Sequence, residues 1–566
     1  MSRPAVSRNG ALLGSALLLA ACGSSEPPLS AVLITLDTTN RDALGCFGQE
    51  LDLTPNLDRL AASGLAFDQA RTVAPLTLPA HASLLTGLVP LRHGVRDNAL
   101  LPLSRSAETL AERLSAAGFQ TGAFVSAVVL AAPYGLDQGF ERYDAPLRRE
   151  SGAKGGATAH MLERPAADTV RAACEWLRGR ERSRPFFLWV HAFEPHEPYA
   201  PAPEFLERAR GNPYLGEVAA LDHALGELIS ALEDEHGLDR LVLVVSADHG
   251  EALGDHGEKT HSVLCYERVL CVPLFLRLPD AARAGERVAH PVSVVDVLPT
   301  ILDALELEAA GELDGQSLLD PDPERGTYFE SYTGYLNYGW SPITGWVDAR
   351  GKLLHGTTSE LYDLAQDPAE SSNLAGERPA EVERLRGALA ALAARPRVER
   401  GADERLGDAL RADIEALGYA GSASAEAVFP EPLAATGLPD ARERMDELER
   451  FYRAVLRHNN GKVEEAIREL EELRAENPEN ITAANVLASY LFETKRVDQA
   501  LVVLQAIPER GVERVTVQDL LGHCLEQLGR VEEARAHFER ALALKPGDPH
   551  QTQDIARVND KLGKGE

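Results

Sequence analysis

Short apolar runs of strand length alternate with longer helical segments through the first half of the chain. Four runs are almost continuous stretches of aliphatic and aromatic residues, at 31–36, 186–190, 241–245 and 272–276. Segments of helical character lie between them, at 57–62, 107–117, 166–177 and 217–232. Because strands that read as continuous apolar runs are buried on both faces, this alternation predicts an α/β fold with a mostly parallel sheet covered by helices on both faces.

Polar side chains stand where three of these runs end. Asp37 directly follows the first run, His191 closes the second, and Asp248 and His249 follow the third after two small residues. Parallel sheets bind ligands at the carboxyl ends of their strands, so we expect these side chains to converge on one edge. Carboxylate oxygens and imidazole nitrogens suit a divalent cation. The pattern therefore indicates a metal site.

The pattern changes after about residue 320. Two short strands are predicted at 351–355 and 360–364, followed by a helix at 379–394. They indicate a small sheet subdomain, at about 320–394, of a first domain that spans 31–394. The segment 395–440 is rich in alanine, glycine, proline and charged residues, which is typical of a connector, with one helix expected near 405–417.

An internal repeat of 34 residues marks the last part of the chain. Two sets of positions recur with this period, Gly461, Lys495 and Gly529 in one and Ala466, Ala500 and Ala534 in the other. This helix-turn-helix period resembles tetratricopeptide repeats, so we expect an all-α repeat domain at 441–566. The resemblance implies a surface for a protein or peptide partner, or for self-association. An unspecialised helical bundle is the alternative.

The first 22 residues have the features of an export signal. Two arginines precede an apolar stretch, 11–21, that is too short to span a membrane as a stable helix. The stretch 19–22, Leu-Ala-Ala-Cys, resembles a bacterial lipoprotein cleavage box, which implies lipidation of Cys22 and a tether at 23–30. The expected product is an exported lipoprotein, anchored to the membrane by lipid alone and facing the periplasm or the cell exterior. An ordinary cleaved signal is the alternative.

Net charge and cysteine spacing argue against two classes of function. The formal net charge of -30 opposes binding of nucleic acid, which is a polyanion. The five cysteines after Cys22 lack paired C-x-x-C spacing, so neither a zinc–cysteine site nor a disulfide framework is expected. A single bridge from Cys265 to Cys271 stays open as an alternative. An anionic substrate would need a local positive centre, most simply a metal ion.

Several short motifs resemble, in order and spacing, the sulfatase branch of the alkaline phosphatase superfamily. They lie at 36–39, 44–45, 54–60, 86–87, 93–95, 195–199 and 248–251. The resemblance covers residues 31–390 and implies a large α/β domain with a small sheet subdomain, in agreement with the pattern above. It also implies an ester hydrolase whose substrate is an anionic small molecule or a glycan or lipid ester.

Carried onto this chain, the family's motifs imply one divalent metal ion. Asp37, Asp248 and His249 would be ligands, together with the side chain of Thr77. Thr38 stands where many members have a second ligating aspartate, and its hydroxyl is either a further ligand or a helix cap. The mixed donor set tolerates calcium, magnesium, manganese or zinc.

The stretch 77–81 has the frame of the sulfatase nucleophile motif without its two defining residues. Thr77 stands in place of the cysteine or serine that sulfatases oxidise to formylglycine, and His81 stands in place of an arginine. An alkoxide on Thr77 would be stabilised by the metal ion and by a helix N-terminus. A simple N-cap is the alternative. His81 lies one turn later, where it could orient Thr77, take its proton or serve the fold alone.

Four further residues fit roles at an anionic substrate. Asn98 resembles the asparagine that contacts the transferred group in phosphonate monoester hydrolases of this superfamily. His196 resembles the histidine that assists the leaving group. His261 corresponds to a substrate-binding lysine or histidine, and Lys259 is a nearby substitute for it. A plain loop role is the alternative for Asn98, His196 and His261.

The resulting hypothesis is a metal-dependent hydrolase of sulfate, phosphate or phosphonate esters that uses Thr77 directly, without formylglycine. The family resemblance predicts a sulfuric ester, whereas the residue at the nucleophile position predicts a phosphoester or phosphonoester. Two alternatives remain. One is a transferase that passes the group from Thr77 to an alcohol, and the other is a binding protein with an inactive hydrolase domain.

Overall fold

The computed structural model describes residues 28–98, 100–145, 164–401, 429–544 and 549–563. Cys22, the export signal, most of the tether and the helix expected near 405–417 lie outside these residues. Among the described helices, none is both long enough and apolar enough to cross a membrane. The five cysteines after Cys22 are free thiols, so the bridge between Cys265 and Cys271 is not formed.

A mixed, mostly parallel sheet forms the centre of the first domain. Its strands, together with the separate pair β3 and β10, are β1 (Ser30–Leu36), β2 (Leu65–Phe67), β3 (Ala70–Arg71), β4 (Gln120–Phe124), β5 (Arg142–Asp144), β6 (Phe186–Ala192), β7 (Leu241–Ala247), β8 (Leu274–Arg277), β9 (Arg287–Val288) and β10 (Val292–Ser293). The order in the main sheet is β5-β4-β6-β1-β7-β8-β2-β9. Five neighbouring strands run parallel, in the spatial order β5, β4, β6, β1 and β7. Strand β8 is antiparallel to both of its neighbours, β7 and β2.

The three central strands are the apolar runs expected from the sequence. All positions of β1, β6 and β7 are buried. Because successive side chains of a strand point to opposite faces, burial at each position means that both faces are covered. The fourth run forms β8, which begins at Leu274 because Pro273 has no N–H to donate to a ladder.

Helices cover this sheet and its loops. They are α1 (Pro55–Ala62), α2 (Thr77–Thr86), α3 (Pro90–His93), α4 (Leu110–Ala116), α5 (Ala166–Gly179), α6 (Pro203–Arg208), α7 (Pro213–Glu235), α8 (Glu267–Leu270) and α9 (Val297–Ala304). Helix α2 is buried at all of its positions, which is unusual for a short helix and places its first turn inside the domain.

A small antiparallel sheet follows, as the sequence predicts. Its strands, in spatial order, are β11 (Thr327–Ser331), β12 (Ile343–Asp348), β13 (Gly351–His355) and β14 (Ser359–Tyr362). Helix α10 (Pro379–Ala393) packs on β12 and β13.

The C-terminal region is helical and contains the repeats. Its described helices are Met445–Asn459, Val463–Glu476, Ile481–Glu493, Val497–Gln505, Glu509–Val512, Val515–Gln527, Val531–Leu544 and Pro549–Gly563. The three alanines that recur with the 34-residue period are fully buried. They allow paired helices to approach closely, which explains why a small residue recurs there.

The other recurring position is the turn between paired helices, and it has left-handed backbone geometry. Its φ angle is 78° at Gly461, 64° at Lys495 and 76° at Gly529. Glycine adopts this conformation without steric cost, whereas a residue with a Cβ does not. The middle turn therefore carries strain that the first and third turns avoid.

The repeat helices contact the first domain through buried polar side chains. Arg514 is buried, and its Nη2 donates to the carbonyl oxygen of Leu336 at 2.8 Å. Asn477 Nδ2 donates to the carbonyl oxygen of Tyr338 at 2.8 Å, and Trp340 Nε1 donates to Glu447 Oε2 at 3.2 Å. A segment next to the small sheet, 334–340, is thus held by three repeat helices.

Exchanging residues at the left-handed turns should change the stability of the repeat domain in opposite directions. Gly529→Ala should lower the free energy of unfolding by about 1 kcal/mol, because alanine is strained at positive φ. Lys495→Gly should raise it by about 0.5 kcal/mol, because it removes the strain but loosens the unfolded chain. Urea unfolding of the full chain, with hydrogen exchange to assign the transition, measures both.

Gly387→Ala is the matched control for Gly529→Ala. Gly387 lies inside α10, and a Cβ there would meet no atom within 4 Å. This substitution should stabilise the chain by about 0.5–1 kcal/mol. Equal effects of the two alanine substitutions would contradict the assignment of strain to the turn.

Candidate active site

Two carboxylates and an imidazole meet at the carboxyl edge of the main sheet. In the register of the sheet, Leu36 at the end of β1 lies beside Ala247 at the end of β7, so Asp37 and Asp248 leave the sheet at the same level. His249 Nε2 lies 3.8 Å from Asp37 Oδ1 and 3.5 Å from Asp248 Oδ2. All three side chains are fully buried.

The carboxylates of this cluster lack the hydrogen-bond donors that buried oxygens require. Both oxygens of Asp37 and Oδ2 of Asp248 have no hydrogen-bond partner. Burial, and next the Asp248 carboxylate, raise the pKa of Asp37 well above its ordinary value. Removing such groups from water without partners costs several kcal/mol, about 3–5 for one uncompensated buried charge. A cation between the two carboxylates would remove this cost.

The orientation of His249 suits the role of a metal ligand. Its Nδ1 lies 3.0 Å from the carbonyl oxygen of Gly250, which can only accept a hydrogen bond, so Nδ1 is the donor in this contact. The other ring nitrogen, Nε2, faces Asp37 and Asp248. Two carboxylates and one imidazole nitrogen suit a divalent cation.

Backbone groups orient Asp248, and His191 lies beside Asp37. His191 Nδ1 accepts the backbone N–H of Ser126 at 3.3 Å, and its Nε2 lies 3.3 Å from Asp37 Oδ2 without the geometry of a hydrogen bond. Asp248 Oδ1 accepts the backbone N–H groups of His249 at 2.8 Å and Thr38 at 3.3 Å. Oδ2 of Asp248 is left facing the cluster.

Thr77 is the first residue of α2 and points at the cluster. Its Oγ1 lies 3.4 Å from His249 Nε2, and the side chain is buried. Leu76, rather than Thr77, occupies the N-cap position, and no side chain caps this helix end. The Thr77 hydroxyl is therefore available beside Asp37, Asp248 and His249 instead of being used as a cap.

His81 contacts the backbone of Thr77, not its hydroxyl. Its Nδ1 donates to the carbonyl oxygen of Thr77 at 2.8 Å, and its Nε2 lies 3.0 Å from Thr35 Oγ1. Trp189 Nε1 donates to the same Thr35 oxygen at 3.0 Å, so the Thr35 hydroxyl donates to His81. Burial lowers the pKa of His81 to about 3, which keeps the ring neutral.

The expectation that His81 takes the Thr77 proton is therefore not supported. Both ring nitrogens are engaged, and neither faces the Thr77 hydroxyl. The contact with the Thr77 carbonyl fits the other expected role, orientation of the first turn of α2.

Asn98 lies next to the first turn of α2 and has unused donors. Its Oδ1 accepts the backbone N–H of Leu78 at 2.9 Å. Its Nδ2 is buried and has no acceptor. An anion bound at the N-terminus of α2 would supply that acceptor, and it would also be favoured by the helix dipole.

His261 stands beside the cluster, where its protonated form is favoured. Its ring centroid is 4.4 Å from that of His249, and its Nδ1 donates to Glu251 Oε1 at 3.1 Å. Burial lowers the pKa of His261, but the Glu251 carboxylate outweighs burial, and the pKa lies above the ordinary value. Tyr199 donates its hydroxyl to the other Glu251 oxygen at 2.8 Å, which fixes this carboxylate.

His196 adjoins the same group from another loop. Its ring stacks on Phe193 at 4.4 Å and meets the edge of His261 at 5.4 Å. Its Nδ1 donates to the carbonyl oxygen of Glu197 at 2.8 Å, whereas its Nε2 has no partner. Burial, with His261 as a further cause, lowers the pKa of His196 to about 4.

Two expected residues face elsewhere. The side chain of Lys259 is 64% exposed, and its Nζ lies 3.9 Å from Glu449 Oε1 on a repeat helix. Its side chain faces solvent and the repeat helix, so Lys259 does not substitute for His261 at the cluster. The hydroxyl of Thr38 donates to the carbonyl oxygen of Pro195, which leaves its backbone N–H as the contact with Asp248.

Three residues that orient the site were not predicted from the sequence, namely Thr35, Trp189 and Glu251. Thr35 is a polar position inside an apolar run, and Trp189 was assigned only to the apolar packing of its strand. Glu251 ends a motif that was quoted without a role for this residue. A polar residue within a buried strand was the available signal for Thr35.

Family models match both parts of the chain. The model described as Sulfatase matches residues 30–307, and that described as N-sulphoglucosamine sulphohydrolase, C-terminal, matches 254–392. Two models described as Tetratricopeptide repeat match 459–524 and 515–548.

Curated relatives are sulfatases. Arylsulfatase A from Homo sapiens is 29% identical over 437 residues, covering 64% of this chain and 86% of the relative. N-acetylglucosamine-6-O-sulfatase from Bacteroides thetaiotaomicron is 24% identical over 491 residues, with the same coverage of 64% and 86%.

Solved structures share the fold. A phosphonate monoester hydrolase of Agrobacterium radiobacter aligns with a TM-score of 0.53 at 22% identity, covering 64% of this chain and 95% of the other. A structure described as a complex with its substrate D-glucosamine-2-N,6-O-disulfate aligns with a TM-score of 0.55 at 22% identity, covering 65% and 97%. The family matches and the relatives, with which this fold agrees, identify the chain as a sulfatase-family ester hydrolase with C-terminal tetratricopeptide repeats.

Proposed function

We propose that this sulfatase-family hydrolase cleaves an anionic ester by direct attack of the Thr77 hydroxyl, without formylglycine. The observation that carries the proposal is the position of Thr77 Oγ1, 3.4 Å from His249 Nε2, beside carboxylates that lack donors. Asp37, Asp248 and His249 would hold one divalent ion, with Thr77 as a further donor. Such an ion lowers the pKa of a bound hydroxyl and offsets the negative charge of the substrate.

The chain's own donors suit the transferred group. Asn98 Nδ2 and His261, whose pKa is raised by the Glu251 carboxylate, flank the cluster, and the N-terminus of α2 adds positive potential. We assign them to the non-bridging oxygens of the ester, where developing charge is stabilised in the transition state. Lys259 has no part in this role.

His196 is the proposed acid for the leaving oxygen. Its Nε2 lacks a partner and its ring is neutral in the free site. It would gain a proton as the anionic substrate enters and pass it to the leaving oxygen when the ester bond breaks. Water would then attack the group on Thr77 and release it.

The residue at the nucleophile position favours phosphorus over sulfur. A formylglycine hydrate has a second hydroxyl on the reacting carbon, which can expel the transferred group by breaking the carbon–oxygen bond. Thr77 has a single oxygen there, so its ester must be released by water attack on the transferred group. We therefore favour phosphate or phosphonate esters, while the names of the relatives keep sulfate esters of small molecules and glycans as candidates.

The chemistry of the site opposes a purely binding role. Buried carboxylates without donors destabilise a fold unless a cation joins them, and a domain that only binds partners does not require them.

We also propose a division of the chain into three parts. Residues 31–394 would form the hydrolase domain, 395–440 a connector, and 441–566 the repeats, which would bind a protein or peptide partner. Residues 1–22 would direct export, and lipid on Cys22 would anchor the protein. Loss of metabolic lipid labelling in Cys22→Ser would support this anchor, whereas unchanged labelling would exclude it.

Removing the Thr77 hydroxyl should abolish most turnover. Thr77→Val keeps the shape of the side chain but removes the nucleophile, so kcat should fall by about 10³-fold or more. Thr77→Ser should keep measurable activity. The assay uses metal-loaded protein with an aryl sulfate, a phosphate monoester, a phosphate diester and a phosphonate ester. Mass spectrometry checks that Thr77 is unmodified. Sulfate turnover that survives Thr77→Val would exclude the assignment.

Changing the donor at position 98 should weaken transition-state binding. Asn98→Asp keeps an acceptor for the Leu78 N–H but replaces the free NH₂ with a carboxylate oxygen. We expect kcat/KM to fall by about 10²-fold. Asn373→Asp is the matched control, since Asn373 Oδ1 also accepts backbone N–H groups but lies in the small subdomain. Equal losses in both variants would argue against a substrate contact.

Neutralising Asp37 should stabilise the metal-free protein. Asp37→Asn removes a buried carboxylate that has no donor. After chelation, the free energy of unfolding of the variant should therefore exceed that of the wild type by about 1–3 kcal/mol, and its unfolding temperature should be higher. The same change should lower metal binding and activity. Asp222→Asn is the control, because Asp222 is buried and both of its oxygens accept hydrogen bonds, Oδ1 from Leu57 and Oδ2 from Asn56. An amide NH₂ in place of either oxygen would face a donor, so this change should destabilise the chain. Destabilisation of the chelated protein by Asp37→Asn would contradict the account.

A further inference from the structure

Four side chains of metal-ligand type gather in the repeat domain, separate from the hydrolase site. Asp519 and His523 lie on helix Val515–Gln527, and His550 and Asp554 lie on helix Pro549–Gly563. One ligand atom from each of the four lies within 4.8 Å of the others. On both helices the two residues are four positions apart, which puts them on one helix face.

The separations agree with four ligands around one small ion. His523 Nε2 lies 3.5 Å from Asp519 Oδ1 and 3.6 Å from Asp554 Oδ2, and His550 Nδ1 lies 3.1 Å from Asp554 Oδ2. Ligands at about 2.0–2.2 Å from a tetrahedral zinc ion are roughly 3.3–3.6 Å from one another. Small side-chain rotations would therefore bring the four atoms into coordination distance.

Neighbouring side chains orient the carboxylates as outer partners of a metal site do. Arg557 donates to Asp554 Oδ1, which leaves Oδ2 facing both histidines. Gln551 Nε2 donates to Asp519 Oδ1 at 2.6 Å. The Arg557 charge is offset by Glu526, at 2.7 Å, so it does not make the cluster cationic. Such outer contacts commonly fix the orientation of metal ligands.

The burial of the cluster is uneven. Asp554 is buried, whereas the side chain of His550 is 70% exposed. An ion could therefore enter from solvent beside His550 and be held against Asp554.

We propose that Asp519, His523, His550 and Asp554 bind a divalent transition-metal ion of the zinc class. Two imidazoles with two carboxylates suit zinc, cobalt, nickel or copper better than calcium or magnesium, which prefer oxygen ligands alone. The ion joins two helices that are separated in the chain by helix Val531–Leu544. It acts as a clip on helix Pro549–Gly563 and has no part in ester hydrolysis.

Metal stoichiometry of the full chain tests the site. The protein is stripped with a chelator, reloaded with Zn²⁺, freed of excess ion and analysed for bound metal. His523→Gln combined with His550→Gln should bind one zinc ion fewer per chain than the wild type, with affinity at this site reduced by more than about 100-fold. His537→Gln is the control, since His537 lies on a repeat helix but contacts Gln518 outside the cluster. It should keep the wild-type stoichiometry.

Hydrogen exchange provides a second readout that does not depend on the ion at the hydrolase site. Zn²⁺ should slow exchange across 549–563 by about 10-fold or more in the wild type and the control, and not in the double variant. Without metal, the three proteins should exchange alike. If the double variant exchanges faster without metal, the single His550→Gln, at an exposed side chain, replaces it in both measurements.

The alternative is that the four residues form only histidine–aspartate ion pairs. Equal zinc stoichiometry in wild type and variant, with exchange unaffected by Zn²⁺, would overturn the proposal. Ester hydrolysis should be the same in all these proteins. Metal stoichiometry and hydrogen exchange do not depend on turnover, so a failure of the proposed function at Thr77 would leave this test unaffected.

Discussion

The buried pair of carboxylates at the ends of two adjacent parallel strands is the constraint on which the rest of the structure depends. Asp37 and Asp248 sit side by side because β1 and β7 are in register and both stop at the same level. Both side chains are fully buried, so their mutual repulsion is only weakly screened. A cation between the two carboxylates would offset this repulsion, which is why the proposed chemistry is placed at this point of the sheet.

Several neighbouring groups serve to keep that arrangement rigid. The backbone N–H groups of Thr38 and His249 fix one side of Asp248, and His191 faces Asp37 from β6. A chain of hydrogen bonds from Trp189 through Thr35 and His81 reaches the carbonyl of Thr77 and ties α2 to the sheet. Since reacting groups must be held within a fraction of an ångström, such a framework would suit the direct attack proposed for the Thr77 hydroxyl.

The parts of the structure that could be predicted from sequence are those set by periodicity. Continuous apolar runs identified β1, β6 and β7, and the strand-end rule brought Asp37, Asp248 and His249 together. Side-chain direction in loops and in the first turn of a helix follows no such period. For this reason the outward direction of the Lys259 side chain could not be predicted. The contact of His81 with the Thr77 carbonyl, in place of the hydroxyl, could not be predicted either. Tertiary contacts alone decide these cases.

The repeat domain bears on the hydrolase site through one loop. Met445 and Leu448, on the first repeat helix, share an apolar cluster with Val263 and Tyr266, which follow His261 in the chain. The same loop contributes Glu258, whose carboxylate accepts the backbone N–H groups of Val263 and Leu264. His261 is thus braced from the sheet side by Glu251 and from the other side by a loop packed on the repeats. A displacement of the first repeat helix would therefore also displace the His261 loop beside Asp37, Asp248 and His249, because packed interfaces transmit displacement instead of absorbing it.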